Sequence, residues 1–356
     1  MIDAGSMHRP FIIPVFLPHA GCPHQCVFCN QTSITGAPRA GLSMKRVETT
    51  IHEFLKYKRD YHHYAQVAFY GGNFLGLDKD HIRGLLNVSI KFVKNKDIDA
   101  IRFSTRPDTI DTDRLDIIKD YPVSTIEIGA QSMDDRVLAE ARRGHLASDT
   151  QKAAALLKER HYETGIQMMV GLPEEDEESS LSTGHRISEL VPDFVRIYPS
   201  VVLKDSLLAK WYRNGRYRPW SLERSVSQVK KLYLLFKKKG IRVIRMGLQA
   251  AEDLDSGAAI LAGPYHPAFG HMVHSEIFLD MAVSVMRAAR ISNDAAVLKV
   301  HPQSISKMRG LNNKNMDILK ERFHIQSIQI LPDPSISQDN LVLDIQSPLN
   351  AIDQKK

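Results

Sequence analysis

Seven short apolar runs, rich in β-branched and aromatic residues, recur through the first two thirds of the chain with helix-period segments between them. The runs are IIPVFL (12–17), QVAFY (66–70), AIRFST (100–105), TIEIGA (125–130), GIQMMV (165–170), FVRIYP (194–199) and IRVIRM (241–246). The gaps are too long for hairpins and long enough for helical crossovers, so the strands are expected to lie parallel. That pattern is α/β, either an open doubly wound sheet or a full or partial barrel. In both cases functional residues belong at the C-terminal ends of the strands.

Local signals agree with the alternation. Within ASDTQKAAALLKER (147–160), Ser148 and Gln151 have capping-box spacing, and SLERSVSQVKKLYLLFKKKG (221–240) ends in lysines followed by Gly240, a helix stop. After residue 250 the rhythm changes: a Gly/Pro-bearing connection leads to a helix (274–290), a strand (296–300), then helix, turn, helix and strand. The expected domains are therefore 1–254 and 255–356. No apolar run is long enough to span a bilayer, and FIIPVFLPHAG is too short and too proline-interrupted to do so, so no membrane association is expected. No signal-peptide pattern opens the chain.

Cysteine is sparse and clustered. Of 356 residues only Cys22, Cys26 and Cys29 are cysteine, all within AGCPHQCVFCNQ on the loop after the first run. An odd number in one cluster is no disulfide framework, which favours a reducing, cytoplasmic setting. Three thiolates at C-x3-C-x2-C spacing can converge on one centre. A structural zinc site with His24 as fourth ligand is one possibility, although structural zinc ligands usually come from two separated loops. A four-iron four-sulfur cluster is the other; it normally takes four cysteines, so three would leave one iron open to a ligand.

CPHQCVFC in this position resembles the signature of the radical S-adenosylmethionine (SAM) enzymes. The resemblance implies a partial (βα)6 TIM-like barrel with a small C-terminal α/β domain, a 4Fe–4S cluster held by Cys22, Cys26 and Cys29, and SAM bound at the open iron. Phe28 stands at the aromatic position that shields the cluster in the family. FYGGNF follows the second strand as the family's glycine-rich turn does, which implies that Gly71 and Gly72 let SAM approach the backbone; Asn73 stands where many relatives carry an acid. IEIGAQSMDDRVLAEARRGH and GIQMMVGLPEE are similar to two branches, oxygen-independent coproporphyrinogen III oxidase and the catalytic subunit of Elongator. By position, Gln131 and Gln167 would contact the ribose, Ser104 would take the place of an acidic SAM contact, Arg143 would pair with the SAM carboxylate, and Gly171 would pack against adenine. STRPD (104–108) and IYPSVVLKDSLLAKWYRNGRY (197–217) resemble the Elongator branch and its bacterial relatives more.

Two departures limit that likeness. The Elongator subunit has a longer gap between its first two cysteines, and it carries an acetyltransferase domain for which about 100 residues remain here, without a recognisable acetyl-CoA loop. With no fourth cysteine, second-cluster and cysteine-relay chemistries are excluded, leaving single-cluster hydrogen abstraction. An electron donor of flavodoxin or ferredoxin type is the partner this implies.

AAVLKVHPQSISKMRGLNNKNMDILKERFHIQSIQILPD, with Lys307, Arg309, Lys314, Lys320 and Arg322 around its turn, is similar to a KH module, although Asn313 replaces the last glycine of GxxG. With a net charge of +6, it makes RNA, in particular tRNA, a candidate partner of this basic region. A small α/β lid with a solvated basic face is the plainer alternative. Tyr265 or His266 in GPYHPAFG could serve as a proton donor or radical relay, or the segment could be a rigid turn. The expected activity is that of a radical SAM enzyme acting on RNA, against a radical enzyme for a small metabolite or tetrapyrrole, or a non-enzymatic zinc-stabilised RNA-binding protein.

Overall fold

The computed structural model describes residues 10–31, 43–248, 258–291 and 295–344. The chain divides into two compact units, Met1–Ser225 with Leu232–Pro267, and Val226–Lys231 with Ala268–Lys356. The boundary expected at 254/255 lies outside the described residues.

The first unit is built on strands β1 (Phe11–Phe16), β2 (Ala65–Tyr70), β3 (Ala100–Thr105), β4 (Val123–Gln131), β5 (Glu163–Val170), β6 (Phe194–Pro199) and β8 (Arg242–Met246), with the hairpin-like pair β7 (Val202–Leu203) and β9 (Ile260–Ala262) beside them. The intervening helices are α1 (Met44–Leu55), α2 (Lys79–Lys94), α3 (Thr112–Ile118), α4 (Asp135–Glu140), α5 (Ala147–Glu159), α6 (Glu177–Glu189), α7 (Leu207–Arg213) and α8 (Leu222–Lys238), of which Val226–Lys231 falls in the second unit. The sheet has seven parallel strands in the order β1-β2-β3-β4-β5-β6-β8, each laid beside its predecessor in sequence. All seven apolar runs form these strands, and the six expected strand–helix repeats gain a seventh strand at the edge.

Two local details differ from the sequence expectation or extend it. Helix α5 starts before the Ser148/Gln151 box: Leu146 is its cap residue, and Asp149 Oδ2 accepts from the Leu146 N–H at 2.8 Å, so the carboxylate satisfies the helix terminus. Helix α8 ends as expected, with Gly240 at φ +73° donating its N–H to the Lys237 carbonyl.

The sheet is curled into a half-barrel, and its concave face is tied by charge. Arg196 of β6 donates through Nη2 to the Tyr70 hydroxyl of β2 at 3.1 Å. On a flat sheet these strands would be four spacings apart, roughly 19 Å, so the contact exists only because the sheet bends. Glu127 of β4 sits between them: it accepts from Tyr70 at 2.9 Å and from Arg196 Nη2 at 3.2 Å. Arg196 Nε also approaches Glu127 Oε2 at 2.8 Å, and Arg102 Nε of β3 lies 3.5 Å from Oε1. Burial together with the neighbouring carboxylate raises the Tyr70 pKa, so its hydroxyl stays a donor. The outward faces, by contrast, are apolar: Ile13, Val67, Phe103, Ile126, Ile128, Val195 and Ile197 are buried under the helices.

The second unit holds α9 (Phe269–Ala288), β10 (Ala295–Val300), α10 (Ile305–Arg309), α11 (Lys314–Phe323), β11 (Ser327–Pro332) and β12 (Leu341–Asp344). Strand β10 is central, parallel to β11 and antiparallel to β12. Phe278, Ala282 and Met286 of α9 pack with Leu298, Val300, Met308 and Leu319. The expected strand, helix, turn, helix, strand order is present, and β12 is an addition to it. In the turn, Asn312 and Asn313 both take left-handed φ values of 53° and 62°, which asparagine tolerates better than most residues.

Glu127→Ala is expected to destabilise the protein by about 3–5 kcal/mol, because Arg102 and Arg196 lose the carboxylate they share inside the barrel. Urea denaturation measures this, with Glu127→Gln expected to fall between the variant and the parent.

Candidate functional site

The loop after β1 is pressed onto the turn after β2. A Cβ at Gly72 would lie 2.6 Å from the Leu17 carbonyl oxygen, and one at Gly21 would lie 2.8 Å from backbone atoms of Gly76 and Leu77, so neither position has room for a side chain. Gly71 adopts φ +98°, a conformation closed to L side chains. Asn73 fastens the junction. It is fully buried, and its Oδ1 accepts from Thr105 Oγ1 at 2.6 Å, Thr109 Oγ1 at 2.8 Å and the Arg106 N–H at 3.0 Å. Its Nδ2 donates to the Gly21 carbonyl at 2.9 Å, and its backbone N–H to Ala20 at 2.8 Å. The side chain is thus spent on joining β1, β2 and β3 at their C-terminal ends.

On this platform Cys26 is buried and Cys22 and Cys29 are half-buried. All three are free thiols. The backbone between them is fixed from outside: Val27 N–H donates to Ala141 at the end of α4, and Leu208 N–H of α7 donates to the Val27 carbonyl at 2.8 Å. Burial, then the neighbouring Cys26, raises the Cys22 pKa; burial, then Cys26 and Cys22, pushes Cys29 up to about 12. The thiols therefore feel one another electrostatically, and opposite charge is close by. Arg143 Nη1 donates to Cys26 Sγ at 3.1 Å and Nη2 to the Gly129 carbonyl at 2.5 Å, while its Nε has no partner. Arg106, gripped by Asp108 through two bonds of 2.9 Å, donates to the Arg143 carbonyl and has a free Nη1. Arg143, which the resemblance assigns to a carboxylate, is thus brought against the cysteines.

These residues fit an iron–sulfur cluster: three soft sulfur donors on a glycine-tight loop, with two buried guanidinium groups facing the charge that deprotonated thiols would carry. Among the described residues no three His, Cys, Asp or Glu side chains are gathered to hold a single metal ion. His24 does not turn toward the cysteines as a fourth ligand; its ring lies over Gly144, where a Cβ would be 2.8 Å from His24 Cγ.

The remaining candidates line the strand ends. Gln131 closes β4 in a left-handed conformation, φ 68°, and accepts from Gln167 Nε2 of β5 at 3.3 Å, so the two glutamines form a pair. Ser104 is half-buried on β3, in register with Glu127. Gly171 has φ +79°; Tyr217 donates to its carbonyl at 2.6 Å, and its N–H donates to Glu175 Oε2 at 2.5 Å. Phe28 packs with Val137, Met169, Leu172 and Tyr198. Tyr265 is not set among these groups: it packs on Val201, Leu203 and Ala259.

Tyr70, Arg102, Glu127, Arg196 and Tyr198 escaped the sequence reading. A signal was there: QVAFY, AIRFST, TIEIGA and FVRIYP each carry a polar residue at an alternate position, and period-two counting puts these on one face.

Asn73→Ala is expected to lower stability by about 2–5 kcal/mol, since several buried partners lose their bonds at once, and to reduce iron uptake; urea denaturation and iron analysis check the two effects. Glu175 gives a pH signature. Burial raises its pKa to about 8 although the Leu172 and Gly171 N–H groups pull the other way. Its contribution to stability is therefore complete below about 4.5 and lost as pH rises through about 8. Glu175→Gln should flatten the dependence of the thermal midpoint on pH across this window.

Comparison with known proteins bears on the whole first unit. A match to the Radical SAM superfamily covers residues 16–183, and a match to the Radical SAM C-terminal domain covers residues 192–279, together well over half of the chain. The tRNA uridine(34) acetyltransferase of Dehalococcoides mccartyi is 25% identical over 231 residues, 56% of this chain and 50% of that protein. An uncharacterized protein of Methanocaldococcus jannaschii is 28% identical over 234 residues, 62% of this chain and 70% of its own length. The chain thus spans about half the length of the Dehalococcoides acetyltransferase. Among solved structures, archaeal Elp3 of Methanocaldococcus infernus shares the fold with a TM-score of 0.59 at 17% identity, over 80% of this chain and 64% of that one. With the cysteine loop, the glycine turn and the curled parallel sheet, these matches place the chain in the radical SAM superfamily of enzymes, whose members use a 4Fe–4S cluster and S-adenosylmethionine.

Proposed function

We propose that this chain is a radical SAM enzyme that acts on RNA, with tRNA as the first candidate. The observation that carries the reading is the contact of Arg143 with Cys26 on the loop that bears all three cysteines, with Gln131 and Gln167 paired at the C-terminal ends of β4 and β5. Cys22, Cys26 and Cys29 would hold the cluster. When bound and reduced, the cluster supplies the electron that cleaves SAM to methionine and a 5′-deoxyadenosyl radical for hydrogen abstraction. The protein's own part is to bind, orient and shield. Arg143 and Arg106 offset the negative charge of deprotonated cysteines, the backbone at Gly71 and Gly72 offers close approach to a ligand, Gln131 and Gln167 offer amides to a ribose, and Phe28, next to the third cysteine in sequence, packs on Val137, Met169 and Leu172. An electron donor of flavodoxin or ferredoxin type fits this scheme. Buried free thiols of this kind suit a reducing cytoplasm, and among the described residues no helix is long and apolar enough to cross a membrane.

RNA as substrate is supported by the Dehalococcoides relative, a tRNA uridine(34) acetyltransferase, and by the second unit. There Arg309 and Lys314 are exposed on either side of the turn Gly310–Asn313, in the arrangement a nucleic-acid backbone can meet.

Two experiments test the proposal. Anaerobic reconstitution with iron and sulfide, then dithionite and SAM, should yield 5′-deoxyadenosine, and Cys26→Ala should abolish it; zinc uptake without SAM cleavage would overturn the enzyme reading. Filter binding of tRNA should weaken as salt rises, and the double variant Arg309→Glu/Lys314→Glu should lose most of it. Unchanged tRNA affinity in that variant would remove the second unit from RNA recognition.

A further inference from the structure

Three arginines, Arg102, Arg196 and Arg245, stand on β3, β6 and β8 of the half-barrel, and among the described residues Glu127 is the one carboxylate that Arg102 and Arg196 share. Arg245 is the register partner of Arg196, just past an irregularity in the β6–β8 pairing between Val195 and Arg196. Like charges directly opposite one another on neighbouring strands repel. Among the described residues Arg245 forms no ion pair or hydrogen bond. Arg242, three residues earlier on the same strand, does have an acid: it pairs with Glu163 at 3.1 Å. The unbalanced pair is therefore local to one level of the barrel.

That level is next to the candidate site. Arg196 is in register with Gln167, and Gln167 with Gly129, whose carbonyl Arg143 holds. Two residues on, Tyr198 packs in the cluster that contains Phe28 of the cysteine loop, and its hydroxyl lies 3.4 Å from Arg196 Nη1. From the cysteine loop inward the order is Phe28, Tyr198, Arg196, Glu127. The Arg196 side chain keeps 14% of its surface open, and Arg245 is half-buried on the edge strand.

We propose that Arg196 and Arg245 form an oxyanion site that anchors the substrate by a phosphate or carboxylate group, with Tyr198 as the adjoining hydroxyl donor. The inference rests on the proposed radical chemistry at the strand ends and adds the substrate's charge class. Glu127 keeps Arg196 extended along the concave face, and a bound oxyanion would add a second negative partner for Arg196 and a first one for Arg245. The oxyanion could belong to an RNA nucleotide or to a small carboxylated metabolite.

Isothermal titration of the anaerobically reconstituted protein at low salt separates these cases, with uridine 5′-monophosphate, uridine and succinate as probes. Uridine 5′-monophosphate or succinate should bind at least about tenfold more tightly than uridine, the factor one charge-assisted hydrogen bond supplies. Arg245→Gln and Arg196→Gln should each remove most of that advantage. Arg245→Gln breaks no bond within the described residues, so it remains informative if Arg196→Gln fails to fold. Preference for the nucleotide supports the oxyanion site and assigns it to RNA; preference for succinate supports the site and assigns it to a metabolite carboxylate. The proposal is overturned if neither anion outbinds uridine, or if Arg245→Gln leaves the advantage intact. Absence of 5′-deoxyadenosine would instead count against the radical chemistry, and the titration reads separately from it.

Discussion

The Glu127 carboxylate is the point on which the first unit turns. It stands on the middle strand of seven and receives a tyrosine from β2 and arginines from β3 and β6. Buried ions are weak contributors to net stability, because removal from water offsets most of their attraction. Their value here is geometric. A purely apolar concave face could collapse or flatten with little penalty, whereas three donors that must all reach one carboxylate fix how far the sheet curls. The curl in turn brings the C-terminal ends of β1 to β5 around a common space, and the cysteine loop, the glycine turn and the two glutamines all lie there.

A second constraint acts at the rim. The cysteine loop owes its position to backbone proximity more than to its own side chains: Gly21 and Gly72 permit contact with the facing backbone, and Asn73 converts that contact into hydrogen bonds spanning three strands. A short loop of this kind, with three prolines and one glycine between 14 and 23, is held in one conformation mainly by what it packs against. Its order comes from the turn after β2, so the glycine turn serves the cysteines whether or not its backbone also meets a ligand.

Much of this was legible in the sequence, and the limit has a physical cause. All seven parallel strands could be read because strands covered by helices are apolar on their outward positions, and short β-branched runs between helical segments leave few alternatives. The cysteine cluster was visible from composition. What local patterns hide is pairing at a distance: nothing near Asn73 announces Thr105, Arg106 and Thr109 as its partners, and nothing near Glu127 announces Arg196. The Ser148/Gln151 box differs from the observed cap for a related reason, since Asp149 supplies an equivalent cap two residues earlier and only the tertiary position of Leu146 decides between them.

Electrostatics links the rim to the interior. At the rim, burial holds Cys29 and Cys22 in the neutral form, yet Arg143 and Arg106 are already buried beside them with Nε and Nη1 unpartnered. Ligation of metal requires deprotonated thiols, and the buried guanidinium groups of Arg143 and Arg106 would offset the charge that ligation places on the loop. One level below, Arg196 and Arg245 repeat the pattern without thiols: among the described residues, Arg196 shares its one carboxylate with Arg102, and Arg245 has none. A scaffold that tolerates unbalanced cations at two adjacent levels is organised to receive negative charge twice, once as deprotonated cysteines and once as an incoming oxyanion.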